Sequence, residues 1–376
     1  MDIQKFQDSR FGKNQTLTQL KDAALALRED ADLPTDVSFV DVANEHFGLD
    51  GEEKIENFEE ILQECGVNLK QDTIQNLLTQ STVDAKWLVP EYIRSAVSLG
   101  ISESPIYPNI TASEQTISAQ KAQVPYLNQS DAAPRWVGEG ETIQLADISY
   151  GSKEFKIRKM GRGIKLTDEL KKYSKLNLVS IFLRDFGIRL GYGLDSLAIN
   201  TLLNGEQADG SSSAPVIGVA TTNTLVYKDL LRVWVRLSRM GKKPTAMVGG
   251  ENMAMDILDL EEFKKSDKTA SPQAKLNLKT AIPAQSDFFI HASVPANQVI
   301  ILDPRTTMGK FNAMPLKVES ERVVSNQTEA TYVSLSSGFA ILFRDSRVVV
   351  DKSKAFSANP FPAYMNVDAL VAETIK

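Results

Sequence analysis

Residues 177–204, NLVSIFLRDFGIRLGYGLDSLAINTLLN, carry an apolar stripe at helical spacing for longer than any other run in the chain. Val179, Phe182, Leu183, Phe186, Leu190, Leu194 and Leu197 follow the i, i+3, i+4, i+7 spacing of one helix face. With Asn177 as N-cap and Gly205 just past the end, the helix is expected to extend about 42 Å at about 1.5 Å per residue, more than a compact domain needs. It reads as a spine on which the other parts hang. Gly187, Gly191 and Gly193 each cost about 1 kcal/mol against Ala inside a helix. That cost predicts either a second backbone packed against them or a bend.

Around the spine, 376 residues leave room for two or three domains, and 42% hydrophobic with 24% charged residues is an ordinary globular composition. Disordered and collagen-like classes are excluded. No run of about eighteen apolar residues exists and the first fifteen residues hold no apolar core, so neither a membrane span nor a secretory signal is expected. The chain is expected to be made in a cytoplasm, and the single cysteine, Cys65, rules out an internal disulfide framework. Net charge is only −6, but residues 1–80 hold seven Lys/Arg against seventeen Asp/Glu. An acidic end therefore precedes a faintly basic body.

Upstream of the spine, residues 17–28, 37–47, 55–65 and 69–78 read as short amphipathic helices, split by Pro34 and by a Gly-Leu-Asp-Gly turn at 48–51. Their acidity reads as a solvated face, with repulsion of DNA or docking on a basic surface of the same protein as alternatives. Residues 82–110 read as an arm, with Pro90, Pro105 and Pro108 confining a helix to about ten residues, 91–99. Residues 114–127 and 148–166 read as the two arms of a long hairpin, the first reaching roughly 45 Å at about 3.3 Å per residue. Neither face has the apolar residues for a core, so the hairpin needs another molecule to lie on.

Charge along this hairpin sorts by position. The tip, 131–147, holds Asp131, Glu139, Glu141 and Asp147 against Arg135 alone, whereas 150–175 holds nine Lys/Arg against three acids. An acidic tip and a basic base suit a tip that lies on the base of a neighbouring copy. The expected interface residues are Asp131, Arg135, Trp136, Glu139 and Glu141 on the tip and Lys156, Arg158, Lys159 and Arg162 on the base.

Downstream of the spine, the chain mixes elements: helices at 226–240 and 251–260 and strands at 245–248, 288–291 and 298–302 read as a compact α/β or α+β domain. The last third reads as a β-meander of strands at 316–324, 330–336, 339–344 and 348–351, turning at Ser337-Gly338 and at Asp345-Ser346.

Catalytic groupings are not legible. His46 and His291 stand far apart with no cysteine or carboxylate at metal-ligand spacing. There is no phosphate-binding G-x-x-x-x-G-K-[ST] loop and no G-x-S-x-G elbow, and Gly161-Arg162-Gly163 does not open a helix as a dinucleotide site requires. No catalytic, cofactor or metal residue is predicted. A sequence pI near 5.3 and few aromatics within the basic stretch argue against a dedicated nucleic-acid binder.

Residues 136–173, WVGEGETIQLADISYGSKEFKIRKMGRGIKLTDELKKY, run straight into the spine, and Asp84–Glu91 reads D-x-x-W-L-V-P-E. Together they resemble the major capsid proteins of tailed bacteriophages with the Hong Kong 97-type fold. The likeness covers roughly residues 82–352 and rests mostly on the order of parts: arm, extended loop with a W-x-x-E-G tip, basic strand, long helix, α/β domain and β-rich close. It implies an α+β chain divided into an acidic helical module that resembles a built-in scaffold (1–81), an arm (82–112), a hairpin loop (113–166), a peripheral domain with the spine (167–219), an axial domain (220–308) and peripheral strands with a tail (309–376). It also implies a non-enzymatic shell protein of the virion, self-assembling into pentamers and hexamers, with no membrane partner. Contacts with portal, scaffold or protease and decoration proteins, and non-specific contact with packaged double-stranded DNA, belong to the same implication. Two alternatives stay open: an encapsulin-like compartment shell, and a cytoplasmic enzyme whose 220–304 part binds a small ligand.

Overall fold

The computed structural model describes residues 40, 44, 56, 58–64, 68–79, 88–103, 106–118, 121–127, 139, 140, 142, 148–205, 213–260, 286–323, 325 and 327–365. The helix expected at 17–28, most of the one at 37–47, His46, and the tip residues Asp131, Arg135, Trp136 and Glu141 lie outside them.

Two short helices come first, α1 (Phe58–Glu64) and α2 (Ile74–Thr79), followed by α3 (Leu88–Glu103). Helix α3 is longer than the ten residues expected, because Pro90 falls in its first turn, where a backbone N–H would have no intrahelical partner anyway. Strands β1 (Ser113–Thr116), β2 (Lys121–Leu127), β3 (Ile148–Lys156) and β4 (Arg158–Thr167) follow, then α4 (Asp168–Tyr173) and the spine, α5 (Leu176–Asn204). The remainder is β5 (Val216–Val219), α6 (Tyr227–Arg239), β6 (Ala246–Gly249), α7 (Glu251–Asp259), β7 (Asp287–Ile290), β8 (Gln298–Leu302), α8 (Pro304–Thr307), β9 (Met308–Val323), β10 (Thr328–Ile341) and β11 (Arg347–Ala355).

These strands make a five-stranded sheet, β5-β11-β8-β6-β7, a four-stranded sheet, β1-β9-β10-β4, and a two-stranded ribbon, β2-β3. The five-stranded sheet is covered on both faces, so β8 (QVIIL) and the start of β11 (RVVVD) are nearly continuous apolar runs. Ile301, Val348 and Val350 face Leu230, Val233 and Leu237 of α6 and Met253 and Ile257 of α7. Ile300, Leu302 and Val349 face the other way, onto Ala198, Ile199 and Leu202 of the spine. Buried Arg347 joins the same contact, donating from Nε to the Leu202 carbonyl at 2.8 Å.

Strand β11 was expected to close a meander with the peripheral strands; it lies instead between β5 and β8. The expected turn at Ser337-Gly338 is also absent. β10 runs through it with a bulge against β9 between Ser334 and Ser337, and a Cβ on Gly338 would stand 3.2 Å from the Lys156 carbonyl oxygen. The glycine there accommodates the base of the ribbon, not a reversal of the chain.

Within the spine, two glycines meet a second backbone as the sequence predicts. A Cβ on Gly187 would sit 2.2 Å from the Val97 carbonyl oxygen and one on Gly191 3.1 Å from that of Ile101; reciprocally, one on Gly100 of α3 would sit 2.1 Å from the Arg184 carbonyl oxygen. This glycine side, with Val179, Leu183 and Leu194, is the buried side. Phe182, expected in the buried stripe, is 66% exposed, because it projects about 100° away from Leu183 on a helix whose close neighbour, α3, lies on the glycine face.

The spine also starts differently from its sequence. Lys175 occupies the N-cap position without a side-chain cap. The amides of Leu176 and Asn177 donate instead to the carbonyls of Asp72 (3.0 Å) and Leu69 (3.1 Å), so a turn before α2 satisfies two donors that the helix leaves open. Phe58, Leu62, Leu69 and Ile74 are buried, and Ser180 Oγ donates to Glu59 Oε1 at 2.6 Å.

Candidate inter-subunit surface

Only the middle of the expected hairpin is a hairpin. β2 pairs with β3 from Lys121↔Lys156 to Leu127↔Ile148, whereas β1 joins β9 in parallel and β4 joins β10. The first arm therefore spans about 23 Å at 3.3 Å per residue, roughly half of its expected reach. Both outer parts went to the four-stranded sheet because non-local partners were available there, which local alternation cannot reveal. At the ribbon's base, Phe155 is buried against Phe311, ring centroids 4.7 Å apart. At the tip, Glu139 and Gly140 are exposed, and Gly140 has φ +82°, a left-handed turn conformation that suits glycine.

The base residues Lys156, Arg158, Lys159 and Arg162 are all exposed, three of them on β4, the edge strand of its sheet. Cationic side chains on an edge strand discourage uncontrolled pairing while leaving a surface to which an acidic partner can be drawn. Flanking them, Gly163 has the Tyr332 ring across it, 2.9 Å from where a Cβ would be, so the centre of the strand is flat.

Other members of the basic stretch are engaged within the subunit. Lys171 is buried, with Glu329 at 2.5 Å and Asp168 at 3.6 Å. On β9, one strand beyond β10 in the same sheet, Lys317 pairs with Glu319 at 2.7 Å, and Lys317 first, with a smaller contribution from Lys159, holds the Glu319 carboxyl below its usual range. Of the basic base predicted from composition, Lys171 is thus taken up within the subunit and Lys159 already faces an acid, while Lys156, Arg158, Arg162 and Lys165 stay exposed along the strand and its start.

After this strand in the chain comes an apolar patch that the sequence reading missed. Tyr173, Leu178, Ile181 (62%) and Phe182 (66%) are exposed on α4 and the first turns of the spine, and contiguous exposed apolar surface marks a binding face. The legible signal was that Leu178, Ile181 and Phe182 repeat at i, i+3, i+4 on the side of the helix away from Gly187 and Gly191.

Among the described residues no group of three or more His, Cys, Asp or Glu could hold a metal ion, and no helix is long and apolar enough to cross a membrane. A cavity of about 530 Å³ is lined by Phe58, Glu91, Tyr92, Arg184 and Lys310; it lies where α1, α3, the spine and β9 meet, away from the 220–304 part suspected of binding a ligand.

A family model described as phage capsid protein matches residues 150–351, from β3 through the spine and both sheets to β11. Among solved structures the chain is similar to a virus-like particle from Pyrococcus furiosus, with 14% identity over 69% of this chain and 98% of that one and a TM-score of 0.44. It is also similar to the mature capsid of bacteriophage PhiM1 (10%, 66% and 87%, TM-score 0.46) and to an encapsulin complex from Synechococcus elongatus PCC 7942 (13%, 66% and 88%, TM-score 0.47). No curated protein matches the chain.

Proposed function

The chain belongs to the phage capsid protein family, and from that membership we propose that it builds the icosahedral head of a tailed double-stranded DNA phage, as pentamers and hexamers. As a capsid protein it is a shell subunit of the virion that associates with its own copies. The observation that carries the reading is the family match across the spine and both sheets.

In the proposed assembly the tip around Glu139 of one copy lies on β4 of the next, over Arg158 and Arg162, with Trp136 and Val137 meeting the apolar patch at Ile181 and Phe182. Both sides then combine an apolar centre with rims of opposite charge. The acidic leader upstream of residue 56 serves as a built-in scaffold, unfavourable beside packaged DNA and therefore displaced or removed. Portal, protease and decoration proteins are the expected further partners.

Electron microscopy of the purified full-length protein tests this. Closed particles of uniform size are expected, and particles from infected or induced cells should hold nuclease-protected double-stranded DNA. Particles filled with a cargo enzyme would support the compartment reading, and a monomer that never assembles would sink both.

A further inference from the structure

His291 stands at the joint between the five-stranded sheet and the spine. It follows β7 directly, and its ring stacks on Tyr192 of the spine, centroids 4.0 Å apart and planes 24° from parallel. The amide of Ser293 donates to His291 Nδ1 at 3.1 Å, which requires a lone pair on Nδ1 and so the neutral tautomer with its proton on Nε2. The next amide, of Ala292, donates to Tyr192 Oη at 3.3 Å. One imidazole and one phenol thus hold both sides of the 291–294 turn against the spine.

The imidazole is in a setting that opposes charge. His291 is 2% exposed, and Nε2 has no hydrogen-bond partner. Burial lowers its pKa from the ordinary value; the nearby Tyr192 backbone favours the proton more weakly, without a hydrogen bond to Nε2. Groups around it are mostly uncharged: the Tyr192 ring from the spine, the Gly249 carbonyl that accepts the His291 amide at 3.2 Å, and the turn's own amides. Glu251, two residues past Gly249, is exposed.

Asp195, one turn along the spine from Tyr192, is the other buried titratable group on this side of the helix. Its Oδ1 accepts the amides of Ile106 and Tyr107, both at 2.8 Å, while Oδ2 has no partner. Burial raises its pKa, and a proton taken up on Oδ2 leaves both bonds to Oδ1 in place. Protonating Asp195 therefore does not undo its contact, whereas protonating His291 puts an N–H on Nδ1 directly opposite the Ser293 amide.

We propose that the His291–Tyr192 stack is an acid-released joint: protonation of His291 expels the Ser293 amide, frees the 291–294 turn from Tyr192 and loosens the spine from the five-stranded sheet. Because the folded state binds this proton less readily than the unfolded chain, the joint's contribution is fully present above about pH 6.5 and is lost as pH falls below it.

The test uses full-length protein labelled with 15N-histidine, with His46→Gln to leave one imidazole, alongside amide hydrogen exchange corrected for its intrinsic pH dependence. The neutral Nε2–H tautomer is expected at pH 7.5. Below about pH 6.5, and until folded His291 is itself protonated, protection of the Ala292 and Ser293 amides is expected to fall roughly tenfold per unit of pH, the factor that accompanies each unit of displaced pKa. His291→Phe keeps the stack without the titration, so its exchange should not vary with pH; should that variant not fold, the unsubstituted imidazole's own titration still decides. An Nδ1–H tautomer at neutral pH, undiminished protection once His291 is protonated, or the same pH dependence in His291→Phe would each overturn the proposal.

Discussion

The two halves of the spine helix do different jobs with the same local structure. Past Gly191 the helix is core: Ala198, Ile199 and Leu202 are buried against the five-stranded sheet, Asp195 holds the 106–109 connector, and Arg347 grips the Leu202 carbonyl. Before Gly187 only one side is core, the first amides are satisfied by the 68–73 turn, and Ile181 and Phe182 face outward. Buried contacts are concentrated in the second half, and exposed apolar surface is concentrated in the first. A shell protein needs both, since a subunit that satisfied all its apolar surface alone would have little reason to assemble.

The sharpest way to break this comparison is to remove what covers the first half. Deleting residues 1–80 exposes the amides of Leu176 and Asn177 and takes away Phe58, Leu62, Leu69 and Ile74, each worth about 1.5–3 kcal/mol when buried. That chain is expected to unfold or aggregate, with amide exchange at the start of the spine lost first. Deleting only residues 1–55 keeps the turn and these four side chains but removes buried Val40 and Asn44, and is expected to lower the denaturation midpoint less than the longer deletion does while impairing closure of uniform shells. Equal midpoints for the two deletions would show that the 56–79 segment is no part of the folded body.

Next in size is the contrast between two glycines. Gly187→Ala drives a methyl against the Val97 backbone, 2.2 Å from its carbonyl oxygen, and is expected to cost about 3 kcal/mol by denaturant titration, at the upper end for overpacking. Gly193→Ala meets only the Met160 side chain at 3.3 Å, which can move aside, and gains up to about 1 kcal/mol of helix propensity. It should be neutral or stabilising. If both substitutions destabilised alike, close approach of α3 would not be the reason for the glycines.

How far the sequence disclosed this molecule follows the range of the interactions. The spine, α6, α7 and four strands of the five-stranded sheet, β6, β7, β8 and β11, were legible because period and flanking residues are local; β5, four residues closing a Gly/Ser-rich run, was not. What the sequence hid was decided at a distance: the cap on Leu176 and Asn177 comes from carbonyls about a hundred residues away, and β1 and β4 left the hairpin for β9 and β10. Phe182 fitted the helical stripe, yet the face was chosen by where Gly100 approaches Gly187. For the interface, composition showed a basic stretch but not that Lys171 is buried with Glu329 or that Lys317 and Lys159 share Glu319. The tip's charges could be counted, while most of its residues lie outside the described structure.

A smaller effect on the fold, with a large one on assembly, is expected from the exposed patch. Ile181→Ser with Phe182→Ser touches no buried contact, so the midpoint should stay within about 0.5 kcal/mol per site of the parent. Sedimentation should nevertheless show fewer closed shells and more free subunit. Unchanged assembly would mean that the first half of the spine is solvated in the shell and that its exposure has no bearing on neighbours.

The smallest effect per contact belongs to the charges, where the tip meets β4. Exposed ion pairs are each worth about 0.2–1 kcal/mol, so the proposed contact acts through repetition around a closed lattice, not through any one pair. Glu139→Lys with Glu141→Lys is expected to slow or misdirect assembly at low salt with the subunit still folded, and raising the salt should weaken the parent's early assemblies in the same direction. Rescue then reads out the register. Lys159 already stands near Glu319, so reversing it would place two acids together within its own subunit, whereas Arg158 and Arg162 are exposed along the edge strand. Arg158→Glu with Arg162→Glu is therefore expected to restore more assembly to the tip variant than Lys159→Glu does. Were Lys159→Glu the better rescuer, the tip would sit toward β9, not along the edge of β4; were neither to rescue, with assembly of the tip variant unimpaired at low salt, the apolar contact at Ile181 and Phe182 would hold the tip alone.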